Sequence, residues 1–165
     1  MLKGLLFLIP LLYPVYAFAQ AAHSPQELAN QVQALLTTNH AENIARYLYP
    51  DADPTSIERF KSDFATYVGA ENLKVFVIPK DDSKAFEQYK ATSSMPDAVK
   101  PLEERIKFYA EKGRFFPLEP LGDLVISGKR VGVNSAGSIT SVVYSKHNSE
   151  YVIIFAKRKD LPATP

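Results

Sequence analysis

Near residue 120 the spacing of apolar residues changes. Before it, large apolar side chains recur every three or four positions; after "RFFPLEPLG" they alternate. A period of 3.6 buries one stripe of a helix, and a period of 2 buries one face of a strand. A chain that runs helices first and strands last has to lay one set on the other, which is α+β segregation.

The helical half carries its own punctuation. "SPQE" offers Ser24 as a cap, Pro25 at the first helical position and Glu27 to close a capping box, followed by the stripe Leu28, Val32, Leu35 and Leu36. Asn39 and Glu42 repeat the cap pattern for a short helix carrying Ile44, Tyr47 and Leu48, stopped before Pro50. In "DPTSIERFKSDFATYVG", Asp53 caps, Pro54 opens and Gly69 offers a left-handed stop, with Ile57, Phe60, Phe64, Tyr67 and Val68 on one face. "LKVFVIP" is rich in β-branched residues and reads as a strand. A short helix over 82–89, the loop "ATSSMP" and a helix over 97–112 follow, the last with Leu102, Ile106, Tyr109 and Ala110 on one side. Four short strands, "DLVIS", "KRVGV", "SITSVVYS" and "EYVIIFAK", are joined by "GK", "NSAG" and "KHNS", which predicts an antiparallel meander. The last strand is apolar on both faces, so it is expected to be central or covered on both sides.

The N-terminus bounds the compartment. Lys3, the apolar run "GLLFLIPLLYPVY" and the small residues of "AFA" read as a cleavable export signal over residues 1–19, with 20–165 forming one domain. Pro10 and Pro14 interrupt a run already short of the roughly 20 residues a spanning helix needs, so no stable membrane anchor is expected after cleavage. The chain has no Cys. That excludes a lipoprotein and leaves the hydrophobic core to stabilise an exported domain without disulfides. The expected location is the bacterial periplasm or the medium.

Most chemistry is missing. Removal of Lys3 leaves equal numbers of basic and acidic residues, which argues against general nucleic-acid binding. His23, His40 and His147 lie far apart without i+4 partners, so no metal and no cofactor is expected. "GKRVGVNSAG" leads from strand to strand and lacks the following helix a phosphate cradle requires. "GVNSAG" has Val133 where a nucleophile elbow needs glycine. Carboxylates pair as Asp51 with Asp53, Asp81 with Asp82, and Glu103 with Glu104, all where solvated charge is usual. Two features remain. Residues 20–104 hold 8 basic and 13 acidic groups against 10 and 5 in 105–165, so the second half is positive. Its cations suit an anionic or acidic partner, or simple protection of strand edges. The chain is also rich in tyrosine on apolar faces, and buried tyrosines supply polar handles in apolar pockets.

The helical start ending in "ENIARYLYPDA", then "FKSDFATYVGAENLKVFVIP" and the "PLEPLGDLVI…YSKHNSEYVIIFAKR" meander resemble, in order and texture, small exported members of the NTF2-like (cystatin-like) superfamily. The resemblance implies N-terminal helices packed on a curved, mainly antiparallel sheet, with a cone-shaped cavity between them. That layout would place Phe64, Tyr67, Tyr109, Tyr144 and Tyr151 near the cavity. It fits a non-enzymatic module binding a small apolar ligand or a protein partner. The alternative it offers is an enzyme using Asp51, Asp123 or Tyr67 as general acid or base. The two-sided apolar last strand further suggests a homodimer through the outer sheet face.

Overall fold

The structure, a computed structural model, describes residues 21–51, 53–93, 96–130 and 138–159. The export signal expected at 1–19, the strand expected at "KRVGV" beyond Arg130, and the expected "NSAG" turn lie outside them.

The capping signals set the first helices. Helix α1, Pro25–Thr37, starts where the Ser24 hydroxyl accepts from the Glu27 N–H, with Pro25 in the first turn. Helix α2, Pro54–Ala65, starts where the Asp53 carboxylate accepts from both N–H and Oγ–H of Ser56. Between them the cap pattern has another outcome. Asn39 takes a left-handed φ of 59° and ends α1, and Ala41–Tyr47 forms a 3₁₀ helix with no side-chain cap. Asn does here what Gly does at many helix ends.

Strand β1, Glu71–Pro79, is followed by α3, Ser83–Thr92, capped by Asp82, and by a 3₁₀ turn at Pro96–Ala98. Helix α4, Leu102–Glu111, begins directly after Pro101, so the helical span is shorter than the 97–112 pattern. Proline biases the residue before it away from helical angles, and that separates the 3₁₀ turn from α4. Gly113, at φ 68°, ends the helix. Strands β2 (Arg114–Phe115), β3 (Gly122–Lys129), β4 (Ser138–His147), β5 (Glu150–Ile154) and β6 (Lys157–Arg158) complete the chain.

The main sheet is four-stranded and antiparallel in the order β1-β3-β4-β5, while β2 and β6 pair as a separate ribbon. Strands β3 to β5 form a three-stranded meander with β1 beside β3, but the turn expected at "GK" is strand instead, because Gly128 pairs with Ser138 and Lys129 with Glu71. Asn148 and Ser149, both at positive φ, form the two-residue turn between β4 and β5.

Alternation along the strands divides the sheet between two helical layers. Val75, Leu124, Ile126, Val142, Tyr144 and Ile153 face α1 and α2, where they meet Leu28, Val32, Leu35, Leu36, Phe60, Phe64 and Tyr67 in the main core. Val143, Val152 and Ile154 face the other way and pack with Leu102 of α4, edged by Ile106, Phe116 and Leu118. Each large side chain removed from water contributes about 1.5–3 kcal/mol. The molecule is α+β, with a mainly antiparallel sheet and helices against both faces.

Strand β5 is therefore covered on both faces, yet it stands at the sheet's edge. Its second apolar face is accounted for within the chain. Its outer backbone is also engaged: Tyr49 N–H donates to the Ile153 carbonyl at 2.9 Å, and Tyr151 N–H donates to the Ala22 carbonyl at 2.7 Å. At the opposite edge, the Gln33 side chain of α1 accepts from Val75 N–H at 3.1 Å. Such covering removes unpaired groups that would template association.

Candidate functional site

The second face of β3 reads Asp123, Val125, Ser127. A carboxylate there is carried by the pleat under the α3–α4 layer, where it must find a cation or hydrogen bonds. It finds both. The Asp123 side chain is 7% exposed and forms an ion pair with Arg105, which is one helical turn beyond the buried Leu102 of α4. The Ser141 hydroxyl of β4 donates to the same oxygen, Oδ1, at 3.1 Å.

Above this pair lies a cleft of about 260 Å³. Ile78, Pro79, Phe86, Pro101 and Leu102 form apolar walls, Lys80, Ser83, Glu87 and Glu103 add polar groups, and Asp123 is part of the lining. The elements meet there for local reasons. The strand end at Pro79 and the Asp82 cap turn the chain into α3, and Pro101 fixes where α4 begins. Tyr89 of α3 packs edge-on against Phe76 of β1, and its phenol is pushed up by burial and by the Asp123 charge. Apolar walls beside a few converging polar groups are the usual composition of a small-molecule site.

The five aromatic residues expected near a cavity divide between the two faces. Phe64, Tyr67, Tyr144 and Tyr151 lie on the α1–α2 side, where the first three are 0–2% exposed inside the main core. Tyr109 lies across the sheet, its ring 5.5 Å from that of Phe116. Helical spacing placed Tyr109 on the buried stripe of α4, but spacing within one helix does not say which face of the sheet that helix covers. Tyr151 packs against Tyr144 with the rings tilted by 54° and 6.2 Å apart, and borders a separate shallow cleft with Ala22 and Tyr47.

The Tyr67 hydroxyl belongs to a closed polar network. Arg130 donates to it at 3.0 Å and lies over its ring at 4.4 Å. The same guanidinium pairs with Asp63 at 2.8 Å, while Thr140 bonds Tyr67 at 2.9 Å and donates to Asp63 at 2.6 Å. Apart from the Arg130 Nε, which has no hydrogen-bond partner among the described residues, these groups satisfy one another and tie α2 to β4 and the end of β3. Asp51 is 57% exposed in its side chain and bonded to Lys157, so of the three residues considered as acid or base only Asp123 borders this cleft.

Burial raises several tyrosines, and the shift of Tyr144 is large. Tyr144 is pushed up to about 12 by burial first, then by Tyr151 and Asp123. An unfolded tyrosine titrates near pH 10. The folded chain therefore holds this proton after the unfolded chain has lost it, and stability falls as pH rises between about 10 and 12. A loss of roughly 2–3 kcal/mol is expected from this group, read by denaturant unfolding across that range. Tyr144→Phe should remove most of the slope; an unchanged slope would assign it elsewhere.

Among the described residues no helix is long and apolar enough to cross a membrane, and no three His, Asp or Glu side chains gather as metal ligands. No family model, curated protein or solved structure matches the chain. Sequence reading considered Asp123 but missed Arg105, whose signal was available. A carboxylate that begins an otherwise apolar strand requires a cation, and Arg105 follows Leu102 at helical spacing.

Proposed function

We propose that this chain is an exported, non-enzymatic binding module for a small, largely apolar molecule with a hydrogen-bond-donating end. The ligand lies between α3, α4 and the sheet. Its apolar body rests on Ile78, Phe86 and Leu102, and its polar end meets the free side of Asp123. The observation that carries this reading is the buried Asp123–Arg105 pair beneath apolar walls. An ion pair is weak support for stability, because hydrophobic replacements often match it. Its value is then specificity for what binds above it. At about 260 Å³ the cleft suits a ligand smaller than a typical drug.

A thermal-shift screen of small apolar amines, alcohols and amides tests this. At a hundredfold excess over Kd, a true ligand adds about 2.7 kcal/mol, which raises Tm by several degrees. Phe86→Glu should erase the shift while leaving the main core intact. No shift with any member, or a shift that survives Phe86→Glu, overturns the reading.

The second reading is an NTF2-like enzyme with a cavity carboxylate as general acid or base. Asp123 alone supports it, as a carboxylate at the cleft wall. Arg105 and Ser141 already engage it, which favours a positioning role over proton transfer. Asp123→Asn would abolish turnover of a bound ligand in an enzyme, while no turnover by the unsubstituted chain removes this reading.

A further inference from the structure

The β2–β6 ribbon places two arginines directly opposite each other. Arg114 and Arg158 are Cα partners in its antiparallel register, with Phe115 and Lys157 as the second pair. Like charges at opposed positions destabilise a strand pair. A two-residue ribbon has little ladder energy to offset that repulsion, so folding gives no reason for the pair.

The surroundings sharpen the point. Among the described residues neither arginine has a carboxylate partner, and the Arg114 Nε is shielded from solvent without any hydrogen-bond partner. Arg105 and Arg130 also have an unbonded Nε, but their terminal nitrogens are paired with Asp123 and Asp63. The arginines line a cleft of about 600 Å³ with Asp51, Asp53, Pro54, Thr55 and Lys157. Lys157 holds both oxygens of Asp51 at 2.7 Å, and Asp53 Oδ2 is occupied by Ser56. Asp53 keeps its charge, so three cations face two carboxylates in this lining, and the excess positive charge lies on the arginine pair. The start of α2 is already capped by Asp53 and contributes nothing further.

We propose that this cleft binds a small soluble phosphate monoester, gripped between the Arg114 and Arg158 guanidiniums. A carboxylate has two oxygens for two guanidiniums to share, whereas a phosphate monoester offers three terminal oxygens. Two arginines on opposed strands that line one cleft favour an anion with three terminal oxygens and a charge near −2, which a phosphate monoester supplies. The site lies apart from the α3–α4 cleft and does not rest on the reading given to it.

Isothermal titration with inorganic phosphate and with phenyl phosphate, at low salt, tests the assignment. Saturable binding of one anion per chain is expected, falling tenfold or more in Arg114→Gln/Arg158→Gln. Without anion the same variant should be as stable as the parent or slightly more so, because a repulsion has been removed. Loss of stability in the anion-free variant would make the pair structural and overturn the proposal. So would absent saturable binding, or binding retained by the variant. Vesicles containing phosphatidylglycerol separate a lipid surface from a soluble ligand: capture by vesicles without binding of either soluble phosphate also overturns it.

Discussion

Gly122→Ala is expected to lower stability by about 3 kcal/mol, more than its single methyl group suggests. A Cβ at this position would run into the backbone carbonyl of Ile78 and would stand 2.6 Å from the Tyr144 ring and hydroxyl. Gly122 lies between Pro79 of β1 and Tyr144 of β4 in the sheet register, and the tyrosine ring folds over the missing side chain. Neither obstacle moves freely: one is backbone, and the other is a ring 2% exposed in the main core. For a chain of this size the loss is a fall in Tm of roughly 6–12 °C. Gly128→Ala is the control. There the nearest atom is the Ala70 Cβ at 3.2 Å, so a smaller shift suffices. Equal Tm values for Gly122→Ala and the parent would refute the packing described at this strand end.

Asp123→Ala should destabilise by about 3 kcal/mol, measured by denaturant unfolding. The substitution leaves Arg105 charged, with only 26% of its side chain exposed and its carboxylate gone. That cost comes chiefly from the stranded cation. Combining Arg105→Met with Asp123→Leu should therefore recover most of the loss, since an apolar pair removes both desolvation penalties. If Asp123→Ala is within about 0.5 kcal/mol of the parent, water already solvates Arg105 and the floor of the cleft is open. The rescued double variant also separates folding from recognition. It should fold, yet bind none of the ligands that require an acceptor at the cleft floor.

Local signals were legible where the chemistry is local. Ser24 and Asp53 cap their helices because a side-chain oxygen within three residues is all a cap needs. The β4–β5 hairpin was readable for the same reason, from "KHNS" between two alternating runs. Misreadings arose where two local rules competed. Asn39 could cap a following helix or terminate the preceding one, and the packing of α1 decided for termination. Pro101 shortened α4 in the same way. What the sequence could not supply was pairing order. The apolar pattern of β5 reports two covered faces, and a central strand and an edge strand beneath two helical layers satisfy it equally. Tyr109 illustrates the same limit, because α4 crosses to the side of the sheet away from Tyr67 and Tyr144. The site suffered most, since Arg105, Asp123 and Ser141 meet only through tertiary packing.

The link from Ala22 to Tyr151 has a consequence for how the protein is handled and made. The final strand of the sheet is completed only when residues from the opposite terminus lie along its margin. The guarding segment is synthesised first and the border last, so this contact forms only once nearly the whole length has emerged. Loss of the segment around Ala22 would uncover that border to other molecules.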